Sequence, residues 1–279
     1  MKIFKTVQEL TSFRTFTKGS TGFVPTMGAL HSGHLSLIRS SKNENDFTGC
    51  SIFVNPIQFT NPEDFEKYPS TLDQDLKLLE EEGCDWVFTP SVLEMYPKTV
   101  SLKFDFGNLE NVMEGAFRPG HFNGVAIVVS KLFHAALPQR AYFGRKDLQQ
   151  TLVIKQLTTD LGFNLEIRVQ ETLREADGLA MSSRNVRLDQ FQRQLAPVIY
   201  QTISFLQTKI LEGEKIEEMI AAAKYNLLTV KGLRLEYLEV ANASNLQSID
   251  NSYKGDIAIC IACYLGNVRL IDNVVFMKS

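Results

Sequence analysis

The sequence predicts an α/β protein: a doubly wound, Rossmann-like parallel sheet followed by a smaller C-terminal α+β domain. Three observations carry that expectation. Short apolar runs bounded by Gly or Pro recur through the first 170 or so residues, segments of helical period lie between them, and beyond residue 172 two long helical stretches give way to consecutive strands. "TGFVPTMG" reads as the first strand and "HLSLIRSSK" as the helix after it. "CSIFVNP" is a second buried strand that ends at a proline, and "TLDQDLKLLEEEG" an amphipathic helix stopped by Gly83. "CDWVFTP" makes a third strand, "VAIVVSKLFHAALP" a helix closed by Pro138, "RAYFG" a fourth strand, "KDLQQTLVIKQLTTDLG" a helix and "LEIRVQ" a fifth strand. The texture then changes. Asp189 to Leu211 reads as one long helix and Lys215 to Leu228 as another, followed by "LRLEYLEVAN", "GDIAICIACYLG" and "VRLIDNVVF" as a small antiparallel sheet whose last two strands turn at Gly266-Asn267. The boundaries expected are 1–172 and 173–279, the second part carrying a mobile "MSSR" loop at its start.

Composition narrows the function classes. At 279 residues and 44% hydrophobic, the chain can bury a large core. The net charge of -3 and dispersed basic residues argue against a nucleic-acid partner. No run approaches the ~20 apolar residues of a membrane span, and the first twenty residues lack a signal-peptide pattern, so a cytoplasmic protein with small-molecule partners is expected. Four cysteines, Cys50, Cys84, Cys260 and Cys263, are too few for a disulfide framework. Cys260 and Cys263 form a C-x-x-C on a strand, where an offset of three sends side chains to opposite faces, against a metal or redox pair.

Parallel sheets bind ligands at the carboxyl ends of their strands, and the polar residues gather there. Thr26, Met27, Gly28, His31 and His34 follow the first strand; Asn55, Pro56 and Gln58 follow the second; Gly144, Lys146, Asp147 and Gln150 follow the fourth; "ADGLAMSSRN" follows the fifth. His31 and His34, at i and i+3, share one face of a helix start, whose unpaired N–H groups already favour anions. Two imidazoles there suit hydrogen bonds to phosphate oxygens as charge builds in nucleotidyl transfer; the plain alternative is a helix cap. Gly28 and Gly33 admit a close approach. Ser182, Ser183 and Arg184 bring two hydroxyls and a guanidinium fork on a loop suited to close over a triphosphate, or else a solvated connector. Lys146 is a point charge for phosphate. Asp73 and Asp75 do not share a helix face, so at most one helps hold magnesium. His134 reads as a helix-core residue and His121 as a loop residue lining the site.

Six stretches in order, "VPTMGALHSGH", "SIFVNPIQF", "YPSTLDQDL", "EGAFRPGHFNGV", "YFGRKDLQQ" and "READGLAMSSRN", make the whole chain resemble the pantothenate synthetase family of the class I synthetase-like nucleotidyltransferases. "HSGH" corresponds to the H-I-G-H element of that superfamily and "MSSR" to its mobile signature. The resemblance implies that ATP and pantoate form a pantoyl adenylate, which the amine of β-alanine then attacks to release pantothenate and AMP. It implies that His31, His34, Lys146, Ser182, Ser183 and Arg184 stabilise phosphates and transition state, and that Gln58 and Gln150 hold pantoate against Met27. It further implies an ATP site built from Thr26, Met27, Gly28, His34, Gly144, Lys146, Asp147, Met181 and the S-S-R run, a magnesium ion with Asp75 the better ligand of its pair, and a homodimer. Arg145, Leu148 and Gln74 depart from the usual family pattern. A nucleotidyltransferase with another small acceptor and a catalytically silent nucleotide-binding module are the competing readings. A tRNA-charging enzyme is disfavoured, because neither an anticodon-binding region nor a basic surface is apparent.

Overall fold

The protein is described here by a computed structural model covering residues 1–278. The chain begins with β1 (Lys2–Phe4), α1 (Val7–Phe16), β2 (Thr21–Thr26), α2 (Ser32–Glu44) and β3 (Phe47–Ile52). Two helices, α3 (Pro62–Glu66) and α4 (Leu72–Glu81), lead to β4 (Trp86–Phe88), then α5 (Val92–Met95), α6 (Met113–Phe117) and α7 (His121–Ala136). β5 (Arg140–Gly144), α8 (Leu148–Asp160) and β6 (Glu166–Gln170) complete the parallel sheet. After them come α9 (Gln190–Leu195), α10 (Val198–Leu211), α11 (Ile216–Leu228), β7 (Leu233–Asn242), β8 (Gly255–Leu265) and β9 (Val268–Lys278).

The expected doubly wound sheet is present, with one strand more than the sequence reading assigns. Its order is β1-β4-β3-β2-β5-β6, every neighbouring pair parallel. β1 and α1 precede the strand read as first. β1 is three residues long and largely exposed at the sheet edge, too short to show a period. α1 does carry a readable signal, because Thr6 and Glu9 form a reciprocal capping box. The side chains of the central strands alternate between two cores. Phe23, Trp86, Phe88 and Phe143 pack with α1, α7 and α8 on one face, while Val24, Cys50, Val87 and Tyr142 pack with α2 and α4 on the other. Burial on both faces explains why these strands read as unbroken apolar runs.

The small sheet, β7-β8-β9, is antiparallel, with the β8–β9 turn at Gly266-Asn267 as expected. Ile257, Ile259, Ile261 and Leu265 face α10 and α11, and Ala258, Cys260 and Ala262 join the core that holds α7 and α8. Cys260 and Cys263 therefore sit on opposite faces, both buried and both free thiols. The helix expected over Asp189 to Leu211 is two helices instead. Pro197, which lacks the N–H that a continuous ladder needs, stands at the break between α9 and α10. His134 is exposed rather than core, bonded through Nδ1 to the Ser130 carbonyl on the outer side of α7.

Succession along the chain runs from β2 to β3 and β4 on one side, then crosses to β5 and β6 on the other. The carboxyl ends of β2 and β5 thus flank the reversal of strand order, where a crevice forms outside a parallel sheet.

Candidate active site

Thr26 closes β2 with its hydroxyl donating to the Ser51 carbonyl at 2.7 Å and accepting from the Gly28 N–H at 3.2 Å. The chain then turns through left-handed backbone at Gly28 (φ +84°) and Ala29 (φ +49°). Glycine suits the first, and the second is held against its preference by Asp75. This carboxylate, 1% exposed, accepts from the N–H groups of Ala29 at 2.9 Å and Leu30 at 2.8 Å and from the Thr71 hydroxyl at 3.2 Å. The family resemblance implies magnesium at Asp75. The residue does not line the cavity and both of its oxygens are engaged, so the geometry assigns it to holding the turn before α2. Asp75→Ala is expected to cost about 3 kcal/mol, as buried N–H groups lose a charged acceptor, while the magnesium concentration giving half-maximal activity stays within about twofold. Urea unfolding and a magnesium titration of turnover check this; a roughly tenfold shift of the magnesium midpoint would return Asp75 to the metal.

His31 is the N-cap of α2. Its Nδ1 accepts from the Gly33 N–H at 3.2 Å, and the Nδ1 of His34 accepts from the His31 N–H at 3.4 Å, with ring centroids 4.1 Å apart. An Nδ1 that accepts is unprotonated in a neutral ring, so each imidazole carries its proton on Nε2. Capping and phosphate recognition, posed as alternatives by the sequence, are therefore compatible: the cap uses one nitrogen and fixes the other as a donor. Burial, reinforced by Lys146, pushes His31 down to about 4, and burial with His31 beside it pushes His34 down to about 3.

The turn after β5 holds Gly144, Lys146 and Asp147. Lys146 keeps 16% of its side chain exposed, with Nζ 3.4 Å from Asp147. The backbone carbonyls of Arg145 and Lys146 accept from the Asn273 side chain at 3.0 and 2.8 Å, so β9 of the small sheet positions the turn. Arg145, a departure from the family pattern, pairs with Glu171 at 2.5 Å.

Ser182, Ser183 and Arg184 lie between the Arg174–Ala180 bridge and a short 3-10 turn at Asn185–Arg187. Arg174 anchors this segment with a two-pronged bond to Asp272 at 2.6 and 3.0 Å while stacking on Tyr200. Across the crevice, the Ser183 hydroxyl is 3.2 Å from that of Tyr68, and Asp64 accepts from Arg184 at 2.9 Å and Arg187 at 3.1 Å. Burial alone would raise the Asp64 carboxyl, but the two guanidiniums hold it below its usual range. The S-S-R loop is thus strapped to α3 and the residues after it. Sequence reasoning does not reach Asp64, Tyr68, Arg174, Asp272 or Asn273, because each acts on a segment distant along the chain.

Gln58 is placed by Asn55, whose amide donates to the Gln58 Oε1 at 3.0 Å and to the Gly124 carbonyl at 3.1 Å. Gly124 permits this approach: a Cβ there would lie 2.4 Å from the Ile57 carbonyl oxygen and 2.7 Å from the Gln58 Cα. The amide of Gln58 meets Met27 Sδ at 3.2 Å. His121, expected on a loop, instead begins α7, is buried and does line the cavity.

One cavity collects these groups. Thr26, Met27, His31 and His34 enter from the end of β2, Gln58 from beyond β3, and Gly144, Lys146, Asp147 and Gln150 from the end of β5 and the start of α8. Met181, Ser182, Ser183 and Arg184 close it from the far side. Gly28 and Asp75 stand behind this wall. Of the lining carboxylates, Glu114 is held by Arg269, Glu171 by Arg145 and Asp272 by Arg174, which leaves Asp147 beside Lys146. No group of three potential metal-ligating side chains occurs among the described residues. These donors do not form a protein cage for magnesium, but they suit a cation carried in on nucleotide phosphates.

The buried histidines bear on stability. His31, His34 and His121 stay neutral in the folded chain down to about 4, 3 and 3, whereas an unfolded chain protonates them near 6.5. Stability is therefore full above about pH 6.5 and falls as the pH drops towards about 4, because the unfolded state binds more protons. Urea midpoints measured at about pH 7.5, 6 and 5 should decrease in that order. A flat profile would mean that the rings take up protons in the folded chain over the same range as in the unfolded one.

A family model described as Pantoate-beta-alanine ligase matches residues 2–275. A pantothenate synthetase of Cytophaga hutchinsonii is 50% identical over 260 residues, 92% of each chain. The crystal structure of pantothenate synthetase from Thermus thermophilus superposes with a TM-score of 0.92 at 42% identity, covering 98% of this chain and 99% of that one. A pantoate-beta-alanine ligase from Francisella tularensis, complexed with beta-gamma ATP and beta-alanine, gives a TM-score of 0.82 at 38% identity over 99% and 97%. With the sheet, its switch-point cavity and near full-length similarity in agreement, the chain belongs to the pantothenate synthetase, or pantoate-beta-alanine ligase, family.

Proposed function

We propose that the chain condenses pantoate with β-alanine at the expense of ATP, through a pantoyl adenylate. The observation that carries this reading is the meeting, in one cavity, of two Nε2–H imidazoles, a lysine and an S-S-R loop with the Gln58–Met27 pair. The first set suits a triphosphate and the second a small hydroxy acid with an apolar body. In the first step a pantoate carboxylate oxygen attacks the α-phosphorus and pyrophosphate leaves. In the second, the β-alanine nitrogen bonds to the acyl carbon, the bond to AMP breaks and the ammonium proton is lost.

No side chain need act as nucleophile, so positioning and charge stabilisation do the catalytic work. His31 and His34 donate through Nε2 to phosphate oxygens, and Lys146, Ser182, Ser183 and Arg184 hold the rest of the triphosphate. Thr26, Gly144, Asp147 and Met181 shape the nucleotide seat, Gly28 supports it through the turn behind the wall, and Gln58 and Gln150 hold pantoate. Asp147 is the lining carboxylate that would help hold a magnesium ion carried in on the nucleotide phosphates, where the ion would neutralise phosphate charge. Residues 1–172 serve as the nucleotide- and pantoate-binding unit and 173–279 as the unit that presents the S-S-R loop. The strap from Asp64 and Tyr68 to this loop supports a closed site that keeps water from the mixed anhydride. No helix among the described residues is long and apolar enough to cross a membrane. A cytoplasmic homodimer is the assembly proposed, checked by sedimentation of the purified protein.

The test is incubation with ATP, magnesium, pantoate and β-alanine, each acid omitted in turn, with mass spectrometry of the products. AMP and pantothenate should form together and only in the complete mixture. A product that retains the nucleotide would instead indicate a transferase with a different acceptor.

A further inference from the structure

Beyond Gln58 the cavity reaches a charged cluster that the steps above leave unused. Arg118, just past α6, lines it together with Glu114, His121 and Arg269. The neighbouring charges are already satisfied. Glu114 accepts from Arg269 at 2.9 and 2.7 Å and from the Tyr237 hydroxyl at 2.8 Å, and Arg269 also binds Glu236. Arg118 forms an ion pair with Glu114, its Nη1 3.6 Å away, but makes no hydrogen bond to that carboxylate. It makes one side-chain hydrogen bond among the described residues, with His121 Nε2 at 3.2 Å, although only 17% of the side chain is exposed.

His121 explains how the guanidinium is oriented. Its Nδ1 lies 2.7 Å from the Gln58 carbonyl oxygen, which can only accept. Nδ1 therefore carries the proton and Nε2 accepts from Arg118. Burial, with Arg118 beside it, pushes the ring down to about 3, so it remains neutral and keeps that polarity. One edge of the guanidinium is thereby tied to the segment that carries Gln58, while its other donors have no acceptor among the described residues. Each other cation lining the cavity donates a hydrogen bond to a carboxylate: Arg184 to Asp64, Arg269 to Glu114 and Lys146 to Asp147.

We infer that Arg118 is the receptor for the carboxylate of the attacking amino acid, holding β-alanine by its anionic end so that the amine faces the acyl carbon at Gln58. This rests on the ligase reading above. The chemistry of the substrate fits the position, since β-alanine differs from a simple amine by a carboxylate at the end remote from its nucleophile. A planar fork pairs with a carboxylate through two parallel bonds. Buried donors left unpaired by a ligand without that group make the site reject it.

Arg118→Gln tests this through the two half-reactions. Pantoate-dependent exchange of labelled pyrophosphate into ATP needs no β-alanine and reports an intact fold and first step; it should stay within about threefold. The KM for β-alanine should rise about tenfold to a hundredfold, the range expected for losing a charge-assisted pair. The preference for β-alanine over propylamine should shrink by the same factor, and Arg118→Lys should fall between. An unmoved KM overturns the assignment. So does a parallel loss of exchange, which would place Arg118 on the nucleotide, on pantoate or in holding the fold. If the unaltered protein shows no pantoate-dependent exchange, the ligase reading itself fails, and this inference with it.

Discussion

Lys146→Ala is expected to lower kcat by about a hundredfold or more, the scale on which losing one preorganised charge-stabilising donor is felt. The ammonium sits just past the end of β5, lines the same cavity as His31 and His34, and is mostly shielded from solvent. A charge so placed is worth more to phosphate oxygens than one in water. The loss should fall on kcat more than on the KM for ATP, because negative charge on the leaving pyrophosphate develops in the transition state. The turn itself should survive, since Asn273 grips it through the backbone carbonyls of Arg145 and Lys146 rather than through the side chain. Pre-steady-state measurement of pyrophosphate formation at saturating substrates decides the point. A variant within about fivefold of the parent would remove Lys146 from the chemistry.

The second large effect is expected for His34→Ala, again a loss of about a hundredfold in turnover. His34 contributes little to the fold through its polar atoms, because its one side-chain hydrogen bond among the described residues is a long 3.4 Å contact to the His31 N–H. In the proposed reaction its task is to donate through Nε2–H, aimed by the same contact that fixes the tautomer. His34→Gln keeps an amide donor and should recover part of the rate, whereas His34→Ala should not. With the parent ring held neutral to about 3, kcat/KM should show no acid limb from His34 above about pH 5. Equal rates for alanine and glutamine variants, both near the parent, would make the histidine a cap and nothing more.

How far the sequence can be read differs between regions for definite physical reasons. "TGFVPTMG" and "RAYFG" are visible because strands buried on both faces must be almost wholly apolar, a strong local signal. β1 is invisible because an edge strand of three residues carries no such requirement. The stretch from Asp189 to Leu211 reads as unbroken helix through Pro197 because its apolar spacing continues on either side of the break. His31, His34, Lys146 and the S-S-R run stand out as chemical side chains at strand ends. Asp75 stands out for the same reason, but a carboxylate that binds a cation and one that accepts two backbone N–H groups look alike until the turn is folded over it.

Taken alone, then, the amino-acid order leaves β1, α1 and the break at Pro197 unsettled but settles five of the six parallel strands and most of the long helices, that the sheet is parallel and doubly wound, and which polar residues sit at the strand ends. These follow from period, turn residues and chain connectivity, all local properties. Only the folded chain decides that Asn273 supports Lys146, that Asp64 and Tyr68 strap the S-S-R loop, that Nε2 carries the proton on both histidines of α2, and that Arg118 keeps donors to spare. Each of these is a contact between residues far apart in sequence, or a choice among acceptors fixed by geometry, and such contacts leave no local pattern to read.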